Sequence, residues 1–461
     1  MIALWTSSEI ARAVGGEAHG DFTVNGVAFD SREVGEGDLF IALKGEATDG
    51  HKFVEGAYAN GAAGVIISEE VEGPHIRVAD TMDALNALGA ASRGRTEARI
   101  VGVTGSVGKT GTKEALFQCL DRTLPGGAHR SVKSYNNHTG VPLSLARMPA
   151  YCDYGVFEMG MNHAGELAAL TRLVRPHVAI VTAIAPAHSE FFESEAAIAD
   201  AKGEIFQGLE PGGTAIVPFD SPHRDRLIAA AEPHAGTIWT FGLGEGADIR
   251  AREVARERTG TLVTAELPGG ELTFTIGLPG NHWVSNALAI LGAVEAVGGD
   301  LAQAGLALAE MAGLPGRGER RTIPLNGGEA LLIDESYNAN PTSMRATLAT
   351  LAQEDAGRRI AVLGAMKELG EQSDDFHLGL AEPIREAKVD YAVLVGDEMK
   401  VLAGALHNWV ECVHVPDAAA ALESLEGRIG PGDAVLVKGS NAMGLAAVVD
   451  ALAAGKITCS N

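Results

Sequence analysis

The residues that most directly imply chemistry are Gly105, Ser106, Val107, Gly108, Lys109 and Thr110. An apolar run, 100–103, leads into them, and a helical pattern running from Lys109 to residue 120 comes next. Glycines let the backbone turn tightly and bring several N–H groups to one point. A helix N-terminus there adds partial positive charge, so the loop reads as a phosphate cradle. A lysine at position 109 reaches outer phosphates, and the Thr110 hydroxyl can hold Mg²⁺. The common pattern opens with a glycine where this chain has Val103. A glycine-rich turn that binds nothing is the alternative. The order of strand, glycines, Lys-Thr and helix favours the cradle.

Other reactive residue types also fall at the ends of apolar runs. Run 155–157 delivers Glu158, and run 178–184 delivers APAH with His188. In an open parallel sheet, ligands bind outside the carboxyl ends of the strands. Glu158, His188 and Thr110 would then face one another as a metal set, although alone each is an ordinary loop carboxylate, histidine or threonine. Lys202 lies in a helical pattern over 195–209, at the edge of the stripe Ile198, Ala201, Ile205 and Leu209. It is either a snorkelling lysine or a functional one held partly buried. The helix start Gly280-Asn281-His282-Trp283-Val284-Ser285-Asn286 offers amides for an adenine edge, with capping as the other reading of Asn281 or Ser285. Arg317, flanked by glycines, could reach a phosphate from a mobile unit. The polar loop Asp334, Glu335, Ser336, Tyr337, Asn338, Ala339, Asn340 comes after a buried strand and is a candidate ribose or substrate site.

The elements that must position these residues divide into three units. Residues 1–95 read as a small α/β unit with runs at 27–29, 39–43, 65–67 and 76–78. Its Arg32, Lys44 and His51 line an anion site or are surface polar residues. A helix and then a linker over 79–96 lead into residues 96–313, where strand, loop and helix alternate. Its strand runs are apolar throughout, as burial on both faces of a parallel sheet requires. Stretch 236–278 changes to alternating residues with GG and PG turns, predicting an antiparallel appendage, and a helix over 283–297 comes after it. Residues 314–461 alternate again, with strands at 330–333, 360–363, 392–395, 412–415 and 434–437, predicting a second doubly wound sheet.

Composition narrows the partners. Lys+Arg number 36 against 60 Asp+Glu, a formal charge of −24, so no basic surplus exists to neutralise a nucleic acid. No run of eighteen apolar residues occurs, so no membrane insertion is expected. Cys119, Cys152, Cys412 and Cys459 are scattered, as in a reducing compartment, and no secretory leader is visible. A cytoplasmic monomer is the expectation.

Together the motifs resemble the Mur ligase family of bacterial cell-wall synthesis. They are DSREVGEGDLFIALKGEATDGHKF, GVTGSVGKTGTKE, SYNNHTGVPLSL, FEMGMNHAGE, PAHSEFFESEAAIADAKGEIF, GNHWVSNALA, GLPGRGE, DESYNANPTSM, MKELGEQSDDFH and VLVKGS. They run over essentially the whole chain. The phosphate loop is shared with folylpolyglutamate synthetases, but those lack the first unit. NNHTG and YNANP point to the branch that adds D-alanyl-D-alanine to a UDP-N-acetylmuramoyl-tripeptide. The sister branch's DYAHxP segment is missing. A pure NTPase would need a water-positioning residue that the sequence does not offer.

The resemblance implies an α/β fold of three domains. These are a small N-terminal α/β domain for the UDP substrate (1–95), a central, mostly parallel P-loop-type sheet with helices on both faces for ATP (96–313), and a C-terminal Rossmann-like doubly wound domain for the amino substrate (314–461). It implies ATP and Mg²⁺ at Lys109 and Thr110, metal positions at Glu158 and His188, and carbamylation of Lys202 to support a second Mg²⁺. Asn286 matches an adenine contact, Arg317 a γ-phosphate contact, and Asp334 or Glu335 the ribose contact. Asn136, Asn137, Tyr337, Asn338 and Asn340 match substrate segments, and Ser31 and Arg32 the UDP segment. Trp283 departs from the asparagine frequent at its position, and Ala365 from an acidic residue.

Overall fold

The structure, a computed structural model, describes residues 3–45, 48–186, 190–257 and 260–456, so His188 and Cys459 lie outside the described residues. The first sheet has five strands in the order Glu17–His19, His75–Arg77, Gly64–Ile67, Asp38–Ile41, Gly26–Ala28. All its pairings are parallel except the first. Helix Thr81–Gly94 closes this unit and docks on the next one. Arg93, 4 % exposed, donates from it to Val174 O and Arg175 O at 2.9 Å each and pairs with Glu210 at 3.3 Å.

The central sheet has nine strands. Strand Arg99–Thr104 lies between Val178–Val181 and Tyr154–Glu158, parallel to both. Alternate residues feed opposite cores. Val101, Val103 and Val156 pack under helices Lys109–Thr123 and Asn281–Ala296, while Ile100 and Phe157 pack under helix Glu166–Val174. Burial on both faces explains why these runs show no polar alternation.

Three expectations change. Strand 178–184 stops at Val181 because the next residues are stitched to the phosphate loop instead. The Thr182 hydroxyl donates to Val107 O at 2.5 Å, and Ser106 N donates to Ala183 O at 2.8 Å. Helix 195–209 is an α-helix only over Glu195–Gly203, succeeded by a 3-10 turn Glu204–Gly208. Stretch 236–278 is not wholly antiparallel. Strand Thr237–Gly242 joins the parallel sheet through Thr214–Pro218, and only Ile249–Glu257, Gly260–Leu267 and Gly270–Ile276 form the antiparallel edge.

The third sheet has six strands, in the order Glu319–Leu325, Gly328–Glu335, Ala434–Lys438, Arg359–Gly364, Tyr391–Val395, Glu411–Val415. Its first pairing is antiparallel and the rest are parallel. The five strands expected from sequence are all present. The antiparallel edge strand, which carries four charged or polar residues, was not expected.

Arg93→Met leaves the buried Val174 carbonyl and the partly buried Arg175 carbonyl without their donor. It is expected to destabilise the chain by about 2–3 kcal/mol, read from the midpoint of urea unfolding.

Candidate active site

The phosphate loop is shaped by what its backbone must avoid. Gly105 has φ +152°, and a Cβ on it would stand 1.9 Å from Thr182 Oγ1. Gly108, with φ +85°, starts helix Lys109–Thr123 without a side-chain cap, so the first N–H groups of that helix stay free for a ligand. Lys109 folds back and donates to Gly105 O at 2.7 Å. Burial lowers the pKa of its amine, the nearby Glu158 charge opposes this, and Arg317 adds to it.

Glu158 ends strand Tyr154–Glu158 and is 1 % exposed. One carboxylate oxygen accepts from Thr110 Oγ1 at 2.8 Å, the other from Asn136 Nδ2 at 2.7 Å. Its backbone N–H donates to Ser131 Oγ at 2.9 Å. A hydroxyl and a carboxylate at the edge of a phosphate cradle are hard oxygen donors that suit Mg²⁺. Asn137 does other work. Its Oδ1 accepts from Gly140 N at 2.9 Å and Thr139 Oγ1 at 2.9 Å, ordering the start of helix Gly140–Ala146.

Lys202 is 1 % exposed, which removes the snorkelling alternative. Its amine has no hydrogen bond or ion pair among the described residues. Burial, reinforced by the charge of Lys109, holds it well below the ordinary lysine range. Burying a cation is costly, so the site shifts the balance toward the neutral amine.

Two adjacent carboxylates in the third unit have different surroundings. Asp334, 3 % exposed, accepts from Gly316 N at 2.7 Å, Ser336 Oγ at 2.6 Å and Ser336 N at 3.1 Å. The first bond ties the 314–318 turn to this strand, and the two Ser336 bonds close the local turn after it. Glu335 points the other way, with Lys438 Nζ at 3.5 Å. Burial raises the pKa of Glu335 and lowers that of Lys438, and each opposes the other's shift. The Arg317 guanidinium carbon lies 4.1 Å from the centre of the Tyr337 ring, a cation–π contact.

A cavity of about 590 Å³ joins these parts. Ser106, Val107, Gly108, Lys109, Thr110, Asn136, Glu158 and Asn286 line it from the second unit, and Arg317, Glu335, Tyr337, Asn338 and Asn340 from the third. Gly105, Asn137, Lys202 and Asp334 do not line it. Asn340 lines it, but its Oδ1 caps helix Pro341–Leu351 by accepting from Ser343 N at 2.8 Å. Helix Asn281–Ala296 starts at Gly280 with no side-chain cap, so Asn281 and Ser285 do not cap it. Ser31 and Arg32 lie on a separate turn, Ser31–Glu33, where Arg32 pairs with Asp30 at 2.6 Å.

Sequence reasoning missed Lys438 as a site residue. It ends an apolar parallel strand, is 2 % exposed, donates to Asn338 O at 2.9 Å and lines the cavity. The strand-end rule that found Glu158 applies to it equally.

Two substitutions probe this geometry. Gly105→Ala is expected to weaken ADP binding at least about tenfold, or ~1.4 kcal/mol, by calorimetry, because no side chain fits against Thr182. Asp334→Ala leaves three buried donors unsatisfied and is expected to cost about 2–4 kcal/mol in thermal or urea unfolding.

Family models match in three blocks. A Mur ligase family catalytic domain covers residues 23–95, a Mur ligase middle domain 103–294, and a Mur ligase glutamate ligase domain 316–441. The UDP-N-acetylmuramoyl-tripeptide–D-alanyl-D-alanine ligase of Escherichia coli K12 is 36 % identical over 454 residues, covering 97 % of this chain and 98 % of its own. The enzyme of that name from Bacillus subtilis 168 is 34 % identical over 437 residues, covering 92 % of each chain. Among solved structures, MurF from Acinetobacter baumannii superposes with a TM-score of 0.84 at 31 % identity, covering 98 % of this chain and 99 % of its own. MurF from Thermotoga maritima, in complex with ADP, gives 0.76 at 28 %, covering 94 % and 98 %. A phosphate loop, a buried carboxylate at its edge and an arginine from a third unit thus occur in a chain that matches these relatives from end to end, and the chain belongs to the Mur ligase family.

Proposed function

We propose that this chain is an ATP-dependent carboxylate–amine ligase that joins D-alanyl-D-alanine to UDP-N-acetylmuramoyl-tripeptide in peptidoglycan precursor synthesis. The observation that carries the reading is the single cavity in which the phosphate loop, Glu158 with Asn136, and Arg317 meet. Full-length similarity to enzymes named for that reaction selects the substrates. In this reading residues 1–95 hold the UDP end, with Ser31 and Arg32 on its turn. Residues 96–313 hold ATP, and residues 314–461 bring the amine. The reaction belongs to the cytoplasm, where ATP is supplied.

The γ-phosphoryl group of ATP passes to the C-terminal carboxylate of the tripeptide, releasing ADP. The loop N–H groups and the Lys109 ammonium offset the charge of the phosphates. Arg317, held by Tyr337, reaches the γ-phosphate from the third unit, Asn286 the adenine edge and Glu335 the ribose, since Asp334 is already saturated by backbone and hydroxyl donors. Mg²⁺ would be held by Thr110 and Glu158, with His188 and carbamylated Lys202 added by family resemblance, and would lower the repulsion between two anions. Asn136 orients the tripeptide end. The free amine of D-alanyl-D-alanine then attacks the acyl phosphate, and the tetrahedral intermediate collapses to amide and phosphate. Water must be excluded while the acyl phosphate exists, and closure of the third unit over the cavity provides this.

Lys202 fits carbamylation on chemical grounds. Only a neutral amine adds CO₂, and its environment favours that form. The product, formed with loss of a proton, is an anion beside the Lys109 ammonium, an attraction that the neutral amine does not offer.

Phosphate release is expected only with ATP, the UDP-linked tripeptide and D-alanyl-D-alanine all present. Release without either co-substrate would overturn the ligase reading. Lys202→Ala is expected to abolish turnover with no recovery on adding bicarbonate. Isotope-labelled bicarbonate should give a carbamate carbonyl resonance in the wild type that Lys202→Arg lacks.

A further inference from the structure

Lys113 lies one turn beyond Lys109 in helix Lys109–Thr123 and is 0 % exposed. It does not line the cavity and has no part in the phosphoryl transfer or the attack by the amine. Its amine donates to Lys133 O at 2.6 Å and to Ser131 O at 3.3 Å, and pairs with Glu114 Oε1 at 2.7 Å. An ammonium has three protons, and here each has an acceptor. The other oxygen of Glu114 takes Arg130 Nε at 2.8 Å. Charged side chains therefore bind residues 130–133 to the phosphate-loop helix.

That short segment sets the position of Asn136 and of the buried carboxylate. Ser131 Oγ accepts the Glu158 backbone N–H, and Asn136 holds a Glu158 oxygen. Gly160 N donates to Asn136 O at 2.8 Å. Between them Lys133 has φ +48°, a left-handed conformation that a lysine adopts at a cost and keeps only where its surroundings fix it. At the outer end the Lys133 amine and the Tyr135 hydroxyl both reach Glu33 Oε1 of the first unit, at 2.5 and 3.0 Å. The segment thus spans from the first unit to the buried carboxylate, and Lys113 ties it to the helix that follows the phosphate loop. An apolar residue could fill the same space without the desolvation of a charge, but it could not hold two carbonyls.

We propose that Lys113 is a positioning residue: it fixes segment 131–136, and through it Asn136 and Glu158, in register with the phosphate loop. The proposal rests on the ligase reading. Its effect should fall on the metal-dependent transfer step and not on nucleotide binding itself, since none of its side-chain bonds goes to the loop 105–108.

The test is Lys113→Met in the full chain. By analogy with partners that orient metal ligands, kcat is expected to fall about 10- to 100-fold, and the Mg²⁺ concentration needed for half-maximal activity to rise about tenfold. The Kd for ADP without metal should stay within about twofold, and Lys113→Arg should recover most of the loss. Unchanged kcat and Mg²⁺ dependence, or parallel loss of kcat and metal-free ADP affinity, would overturn the proposal. Ser131→Ala removes one oxygen from the same chain of contacts and should lower kcat about tenfold, the low end of the range for such partners. Unchanged kcat in that variant overturns the proposal even if the methionine variant does not fold. A wild-type chain that releases no phosphate with both co-substrates present would instead show that the ligase reading had failed.

Discussion

The buried carboxylate of Glu158 is the constraint on which the second unit depends. A negative group, 1 % exposed, beside a loop built to receive phosphates is unfavourable by itself. It is tolerated because both oxygens are taken, one by the first turn of the helix after the phosphate loop and one by segment 131–136. Its own backbone is held by Ser131. Three stretches far apart in sequence must agree on one position, and the parallel pairing of Tyr154–Glu158 with Arg99–Thr104 sets that position along the sheet.

A simpler rule operates at the crossing into the third unit. Asp334 and Glu335 are neighbours on one strand, so their side chains leave on opposite faces. One carboxylate is consumed in closing the 314–318 turn, and the other looks into the cavity with Lys438. Two consecutive residues thus supply a fixed pivot and a cavity-facing carboxylate paired with Lys438. Arg317 and Tyr337 are attached to that pivot through Gly316, whose N–H goes to Asp334 and whose carbonyl accepts from Tyr337 N at 3.1 Å.

Much of this was legible in the sequence where a local rule carries it. The phosphate loop, the apolar strands and the strand-end position of Glu158 can be read from residue order alone. Less legible were features set by contacts between distant segments. The early end of the strand at Val181 depends on Thr182 bonding to Val107, and nothing local marks it. Asn137 and Asn340 each use the amide oxygen to hold a neighbouring backbone N–H at a helix start, a local role that the motif does not announce. Which of Asp334 and Glu335 faces the cavity depends on the direction of each side chain. Lys202 was ambiguous for a different reason: its helix pattern gave the edge of the stripe, and only packing shows that the edge is closed.

Gly111 lies within the first turns of helix Lys109–Thr123, where glycine is about 1 kcal/mol less favourable than alanine. A Cβ there would stand 2.9 Å from Trp283 Cη2 on the neighbouring helix Asn281–Ala296. The indole occupies the room that the missing methyl leaves. The two positions are therefore coupled: an alanine at 111 needs the ring at 283 to move aside or to be smaller. In a set of related sequences this would surface as paired substitution between two helices that share no hydrogen bond at that point.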